Sequence, residues 1–206
     1  GKKVRELTYD YDTDGYVAPD LTILSEHIGG SGVATGFTEW TYQQEPDSIV
    51  WVVRSDGVLC GMTYQRSEQV VAWHRHILGG VFGSSDAVVE SVAAIPNSTA
   101  ASQGEDTLYM IVKRTVNGAT RRYIEFMKPF DYSSDIEEAW FLDSALQYSG
   151  SAVTSVSGLD HLEGQVVSIL ANGATHADKT VSGGSVTLDR SATKITVGLS
   201  YTSTLQ

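Results

Sequence analysis

Short glycine-containing turns recur in this chain between runs whose apolar residues alternate, and no other feature limits the fold as strongly. Asp56-Gly57 separates "SIVWVVRS" (48–55) from "VLCGMTYQR" (58–66), and Asn117-Gly118 separates "TLYMIVKRTV" (107–116) from "ATRRYIEFM" (119–127). Asx-Gly between such runs predicts a two-residue type I′ turn and therefore an antiparallel hairpin. "FTEWTYQQ" (37–44) alternates before the first hairpin and turns at Glu45-Pro46-Asp47. "EQVVAWHRHI" (68–77) follows that hairpin, then the Gly-rich "LGGVFGSS" (78–85) and a further strand, "VVESVAAIP" (88–96). A period of two over so many segments predicts an all-β chain.

The two hairpins are alike in character. Val50 to Arg54 matches Leu108 to Lys113, and Trp51 and Tyr109 lie 58 positions apart (109 − 51). Two antiparallel units of about 45–55 residues each have the size and strand order of propeller blades. Two blades cannot close a ring, and their open edges must be covered. Either the partner blades are missing from this chain or neighbouring subunits cover the edges; Gly1 in place of an initial Met favours the expectation of a piece of a longer protein. The polar "NSTAASQGED" (97–106) reads as an exposed, mobile loop. Residues 1–36 read as a strand over Val4–Tyr11 and one short helix over "LTILSEHI" (21–28), with Asp20 as its N-cap and Gly29-Gly30 as its stop. Residues 37–139 hold the two blade-like units. An acidic, Pro-containing stretch, "KPFDYSSDIEEAW" (128–140), marks a boundary. From 140 to 206, short strands split by Asn172-Gly173, Gly183-Gly184 and Asp189-Arg190 predict a small β-barrel or sandwich.

Composition excludes several functions. Net charge is −11, and the few clustered cations (Lys113, Arg114, Arg121, Arg122) sit on one hairpin. Tight nucleic-acid binding needs a broader basic face. No apolar run reaches the roughly 20 residues that span a bilayer, and no secretory leader opens the sequence. Cys60 is the single cysteine, which rules out an internal disulfide, and its place in mid-strand predicts a buried, inert thiol.

Four constellations could carry chemistry. His74 and His76 stand at i and i+2 on one strand face, about 6.5–7 Å apart, and could chelate a metal given a third ligand. His27, His161 and His176 are remote in sequence, so outward polar side chains on a half-buried strand explain the pair more simply, with Trp73 and Arg75 on the other face. "GLDHLEG" (158–164) brings Asp160, His161 and Glu163 together. It lacks a nucleophile elbow, and Leu159 and Leu162 read as anchors of a packed turn. Trp40, Tyr42, Trp51, Tyr64 and Trp73 could stack on sugars, although alternating aromatics more often form core or cross-strand pairs. "GGSG" (29–32) has no following Lys and reads as a linker. No catalytic, cofactor-binding or metal-binding residue is expected.

Several stretches carry a resemblance: "VRELTYDYDTDGYVAPDLTILSEHI", "YQQEPDSIVWVVRSDGVLCGMTY", "VAWHRH", "LYMIVKRTVNGATRRYIEFM" and "SGLDHLEGQVVSILANGATH" with the strands after it. Together they resemble the tail-nozzle proteins of short-tailed bacteriophages and prophages, the tail tubular protein B-like family. "EPDSIVWVVRSDG" and "GLDHLEGQ" are the most specific pieces. The resemblance implies a non-enzymatic virion structural protein of the phage tail, made in the bacterial host cytoplasm. Its partners would be other copies of itself, in a hexameric ring, together with portal, adaptor and tail fibre or spike proteins. Phage DNA would pass through the ring without specific binding, and no membrane insertion is expected. Acidity suits such a wall, because negative charge repels phosphates over a Debye length of about 8–10 Å. Asp10, Asp12 and Asp14, or Glu137 and Glu138, are the side chains expected to face the channel. The alternative is a carbohydrate-binding or depolymerising tail adhesin.

Overall fold

The computed structural model describes residues 1–30, 36–97, 104–128 and 135–203. It is an all-β protein of antiparallel sheets whose helical content is limited to three short 3₁₀ turns among the described residues. The chain falls into two compact units, each assembled from two stretches. The first comprises residues 1–76 and 89–112, and the second 77–88 and 113–206.

The first unit is built on a meander of β3 (Phe37–Gln43), β4 (Ile49–Arg54), β5 (Leu59–Gln65) and β6 (Val70–His76), paired in chain order. Before it, β1 (Thr8–Asp10) and β2 (Gly15–Val17) form a small hairpin with Tyr9 opposite Tyr16. Alternation puts Val50, Val52, Cys60 and Met62 on one face of the meander, packed with Ile28, Leu21, Phe37 and Trp73. Trp51, Val53 and Leu59 lie on the other face and are equally buried. A central strand with both faces covered reads as the unbroken apolar run Ile49–Val53. Full burial pushes the Cys60 thiol up to about 11, so the thiolate that would react is scarce at neutral pH.

The 21–28 segment forms no α-helix. Residues 21–24 are turn and only Glu26–Gly29 make a 3₁₀ turn. Asp20 does accept from the Thr22 backbone N–H and hydroxyl, at 2.9 and 2.5 Å, but its carboxylate is also tied to Lys3. The lysine bond and the Thr22 bonds hold Asp20 well below the usual carboxylate range. Two turns' worth of spacing among Leu21, Leu24 and Ile28 could not overcome the nucleation cost of so short a helix, and Leu24 stands exposed. The strand expected from Val4 is also shorter, reduced to β1 and an Arg5–Asp20 bridge.

At Asp56-Gly57 only Gly57 has a positive φ (86°), and Gly57 N–H donates to the Arg54 carbonyl. The connection is a three-residue loop with a left-handed glycine, not the expected type I′ turn. Arg54 explains the difference: its guanidinium clamps the Asp56 carboxylate at 2.7 and 2.8 Å, and Asp56 also accepts from Val58 N–H. Asn117-Gly118 and Asn172-Gly173, with φ near 50° and 70° at both positions, take the conformation that type I′ turns require.

β9 (Val88–Pro96), β10 (Asp106–Val116) and β11 (Ala119–Phe126) form a three-stranded sheet in the order β11-β10-β9. A short hairpin, β7 (Val81–Phe82) with β8 (Ser85–Asp86), precedes them. The second unit is centred on β12 (Asp143–Ser157), β13 (Val166–Ala171), β14 (Ala174–Thr180) and β15 (Ser185–Leu199). Their order is β12-β15-β13-β14, an open sheet and not a closed barrel. Its core gathers Leu159, Leu162, Val167, Ile195 and Val197, all fully buried. Asp189-Arg190 ends no strand. Between the pairs Val153–Ala192 and Ser155–Thr187, β15 advances five residues (192 − 187) while β12 advances two (155 − 153). The polar pair is absorbed as a bulge, which bends a strand without reversing it.

The expected loop at 97–106, the linker at 29–32 and the boundary at 128–140 lie partly outside the described residues. Among the described residues, no helix is long and apolar enough to cross a membrane.

Candidate functional site

On β6, period two brings His74 and His76 to one face, with their ring centroids 4.9 Å apart. They do not point outward. The His74 Nδ1 and His76 Nε2 atoms share one hydrogen bond of 2.7 Å, and both rings rest against Trp51. Gly61 lies directly opposite His74, and a Cβ there would fall 2.2 Å from the imidazole Cε1. A glycine in mid-strand thus makes room for a ring. The Trp51 indole N–H donates to Gln43, whose amide donates to the Asp106 carbonyl. Asp106 in turn accepts from Gln44 and Glu45 N–H.

A direct ring-to-ring hydrogen bond takes up the gap in which a chelated ion would sit. Burial lowers the pKa of both imidazoles. His76, further depressed by charge on His74, falls to about 4. Both rings are therefore neutral at pH 7, and no group of three or more metal-ligating side chains occurs among the described residues. The geometry makes this pair a half-buried, hydrogen-bonded packing element.

"GLDHLEG" forms a single 3₁₀ turn, Asp160–Leu162, anchored by the fully buried Leu159 and Leu162. His161 directs Nε2 to the Ser144 carbonyl at 3.0 Å and packs its ring against Tyr123. Glu163 is engaged elsewhere: its two oxygens accept the N–H groups of Gly183 and Gly184, at 3.1 and 2.8 Å. Both glycines have positive φ, so Glu163 caps a tight turn. The His161 and Glu163 side chains thus face separate partners, the Asp160 carboxylate bonds neither of them, and the three form no relay.

Beside this turn a cleft of about 350 Å³ opens within the second unit, bordered by Asn117, Arg121, Tyr123, Asp160, Glu163 and the Gly183-Gly184 turn. The I′ turn at 117–118 presents Asn117, and Arg121 and Tyr123 project from β11 at i and i+2. Asp160 lies over Gly184, where a Cβ would approach its carboxylate to 2.5 Å. Sequence reading singled out the 158–164 turn and the cations of the hairpin separately. Nothing in the sequence joined them, since Arg121 and Asp160 are 39 positions apart (160 − 121).

Of the aromatics that could have stacked on sugars, Trp51 is 2% exposed, and Trp73 stacks on Phe37 with its N–H on the Leu21 carbonyl, as core or cross-strand residues do. Tyr64 is half-buried; only Trp40 and Tyr42, on the edge strand β3, stand open. The cation cluster also disperses, because Arg114 is buried and paired with Glu125. Glu138 binds Lys194, and Asp14 accepts from the Tyr9 hydroxyl. No family model and no curated protein matches the chain.

Proposed function

We propose that this chain is a structural component of a phage tail, of the nozzle type. It would assemble with copies of itself around a passage for the genome and offer attachment to portal, adaptor, fibre or spike proteins. The observation that carries this reading, beside the sequence resemblance, is the consecutive four-strand meander β3 to β6, a blade-like sheet on a chain of net charge −11. An acidic, strand-built wall repels a passing polyanion. Antibody labelling of particles from a strain carrying the gene tests it by electron microscopy. Label at the tail end is the expected result, and its absence from purified virions overturns the reading.

A second reading, a carbohydrate-binding tail adhesin, is favoured by Trp40 and Tyr42 standing exposed at alternate positions of an edge strand. Exposed aromatic faces stack on sugar rings. A glycan array separates the two readings, with loss of retained glycans in a Trp40→Ala, Tyr42→Ala variant as the expected outcome of this one.

A further inference from the structure

The cleft beside the Gly183-Gly184 turn holds a combination found at no other place described above. Asn117, Arg121, Tyr123 and Asp160 all border it. Their side-chain polar atoms make no hydrogen bond or ion pair with any described residue. Elsewhere in the same unit such groups are engaged: Arg114 by Glu125, Lys194 by Asp135 and Glu138, and Lys179 by Asp189. The floor of the cleft is fixed, because Glu163 holds both glycine N–H groups and Leu159 and Leu162 anchor the adjoining turn in the core. Tyr123 is steadied by its edge-to-face contact with His161, at 6.1 Å. The unspent groups are thus held on rigid elements, as binding sites require.

We infer that this cleft binds a neutral saccharide unit. Arg121 can only donate hydrogen bonds and the Asp160 carboxylate can only accept them, while Asn117 and Tyr123 do both. The formal charges of Arg121 and Asp160 cancel, and Glu163, which also borders the cleft, disfavours anions. Sugar hydroxyls each donate and accept, and therefore satisfy both halves of the set at once. Tyr123 adds an apolar ring beside the polar groups, and the volume sits at the small end of ligand sites, the scale of one or two sugar rings. These residues belong to the second unit, whereas Trp40 and Tyr42 belong to the first, so the inference deepens the adhesin reading with a different site and does not depend on theirs.

The test is titration of the isotope-labelled chain with neutral monosaccharides and disaccharides at millimolar concentration, followed by amide NMR. Expected are saturable shifts at Gly183, Gly184 and Asn117 with at least one sugar. Asp160→Ala and Tyr123→Ala should each weaken binding by about tenfold or more, since each removes a hydrogen bond that desolvates on binding. Both side chains lie outside the buried core, and an unchanged amide spectrum away from the cleft reports intact folding. Trp40→Ala should leave these shifts in place. No shift at the cleft with any sugar of the panel overturns the inference. So do shifts that survive both cleft substitutions, or a preference for acidic sugars or inorganic phosphate. Labelling at the virion tail stands or falls independently of every one of these outcomes.

Discussion

The two units bury polar groups in opposite ways. In the second, Arg114 on β10 is 1% exposed and fully charged, with Glu125 bound in fork geometry and its Nε on the Gly79 carbonyl at 2.7 Å. Gly79 N–H then donates to Asp143 at 2.7 Å, so residues 77–88 are fastened to this unit by charge. Gly80 is required beside it, with φ of 91° and space for a Cβ closed by the Arg114 Cδ at 2.8 Å. In the first unit the His74–His76 pair carries no charge and satisfies itself with one direct hydrogen bond. A buried ion is held by partners that cannot be removed singly; a half-buried neutral pair is held only while pH keeps it neutral.

The largest expected effect breaks the charged arrangement. Arg114→Ala leaves the Glu125 carboxylate and the Gly79 carbonyl without their partner and should cost about 3–5 kcal/mol, read as a drop in the urea midpoint. Arg114→Met with Glu125→Leu should recover most of that loss. If the single and double variants unfold alike, the ion pair is not what holds the 77–88 segment.

Acid should break the neutral arrangement instead. Folded His76 titrates near 4 and His74 also below its ordinary value, while the unfolded imidazoles titrate near 6.5. Between those values the unfolded chain binds more protons than the folded one, so stability rises with pH across the window and falls as pH drops from about 6.5 to about 4. The difference for His76 amounts to about 2–3 kcal/mol at most, lowered by the pair's partial exposure. Asp143 works with the opposite sign. Burial raises its carboxyl, so its contribution is present at low pH and is lost as pH rises through its folded pKa. Unfolding followed by tryptophan emission should therefore show acid sensitivity in this window that a His76→Gln variant largely abolishes. An unchanged slope in that variant would assign the titration to other groups.

Gly61→Ala sharpens the same point from the packing side. A methyl group 2.2 Å from His74 Cε1 forces the ring out of place, at about 1–3 kcal/mol. Adding His74→Ala should remove most of that penalty, a coupling that thermal melts of the parent, the two single variants and the double variant would reveal. Additive losses would show that the ring yields freely.

The legible parts of this fold are those decided locally. Asn117-Gly118 and Asn172-Gly173 take positive φ at both positions because nothing competes with the turn. Asn172 carries a second task that its sequence does not announce: its side-chain oxygen accepts from Thr193 and Lys194 N–H on β15. Asp56-Gly57 departs from the same pattern because Arg54, two residues earlier, captures the aspartate. Leu159 and Leu162 were readable as anchors from their spacing within one turn, and Cys60 from its place in an apolar strand. The cleft was not readable, since the 117–123 hairpin, the 158–164 turn and the 183–184 turn are three separate segments that meet only in the fold. His74 and His76 were visible as a pair, but their burial depends on Gly61 and Trp51 from two neighbouring strands.

The smallest expected effect tests whether burial, and not charge pairing as such, separates the two arrangements. Lys194 bonds Asp135 at 2.8 Å and Glu138 at 2.7 Å, distances as good as any around Arg114. These bonds lie at the surface, where water competes for each partner and salt screens the attraction. The neighbouring carboxylates raise the Lys194 pKa, Asp135 first, yet its removal strands neither of them away from solvent. Lys194→Met should therefore leave the urea midpoint within the scatter of repeat measurements, and high salt should erase any residual difference. A loss approaching that of Arg114→Ala would mean that pairing holds this unit together regardless of desolvation, and the contrast between its buried arginine and the neutral histidines would need another cause.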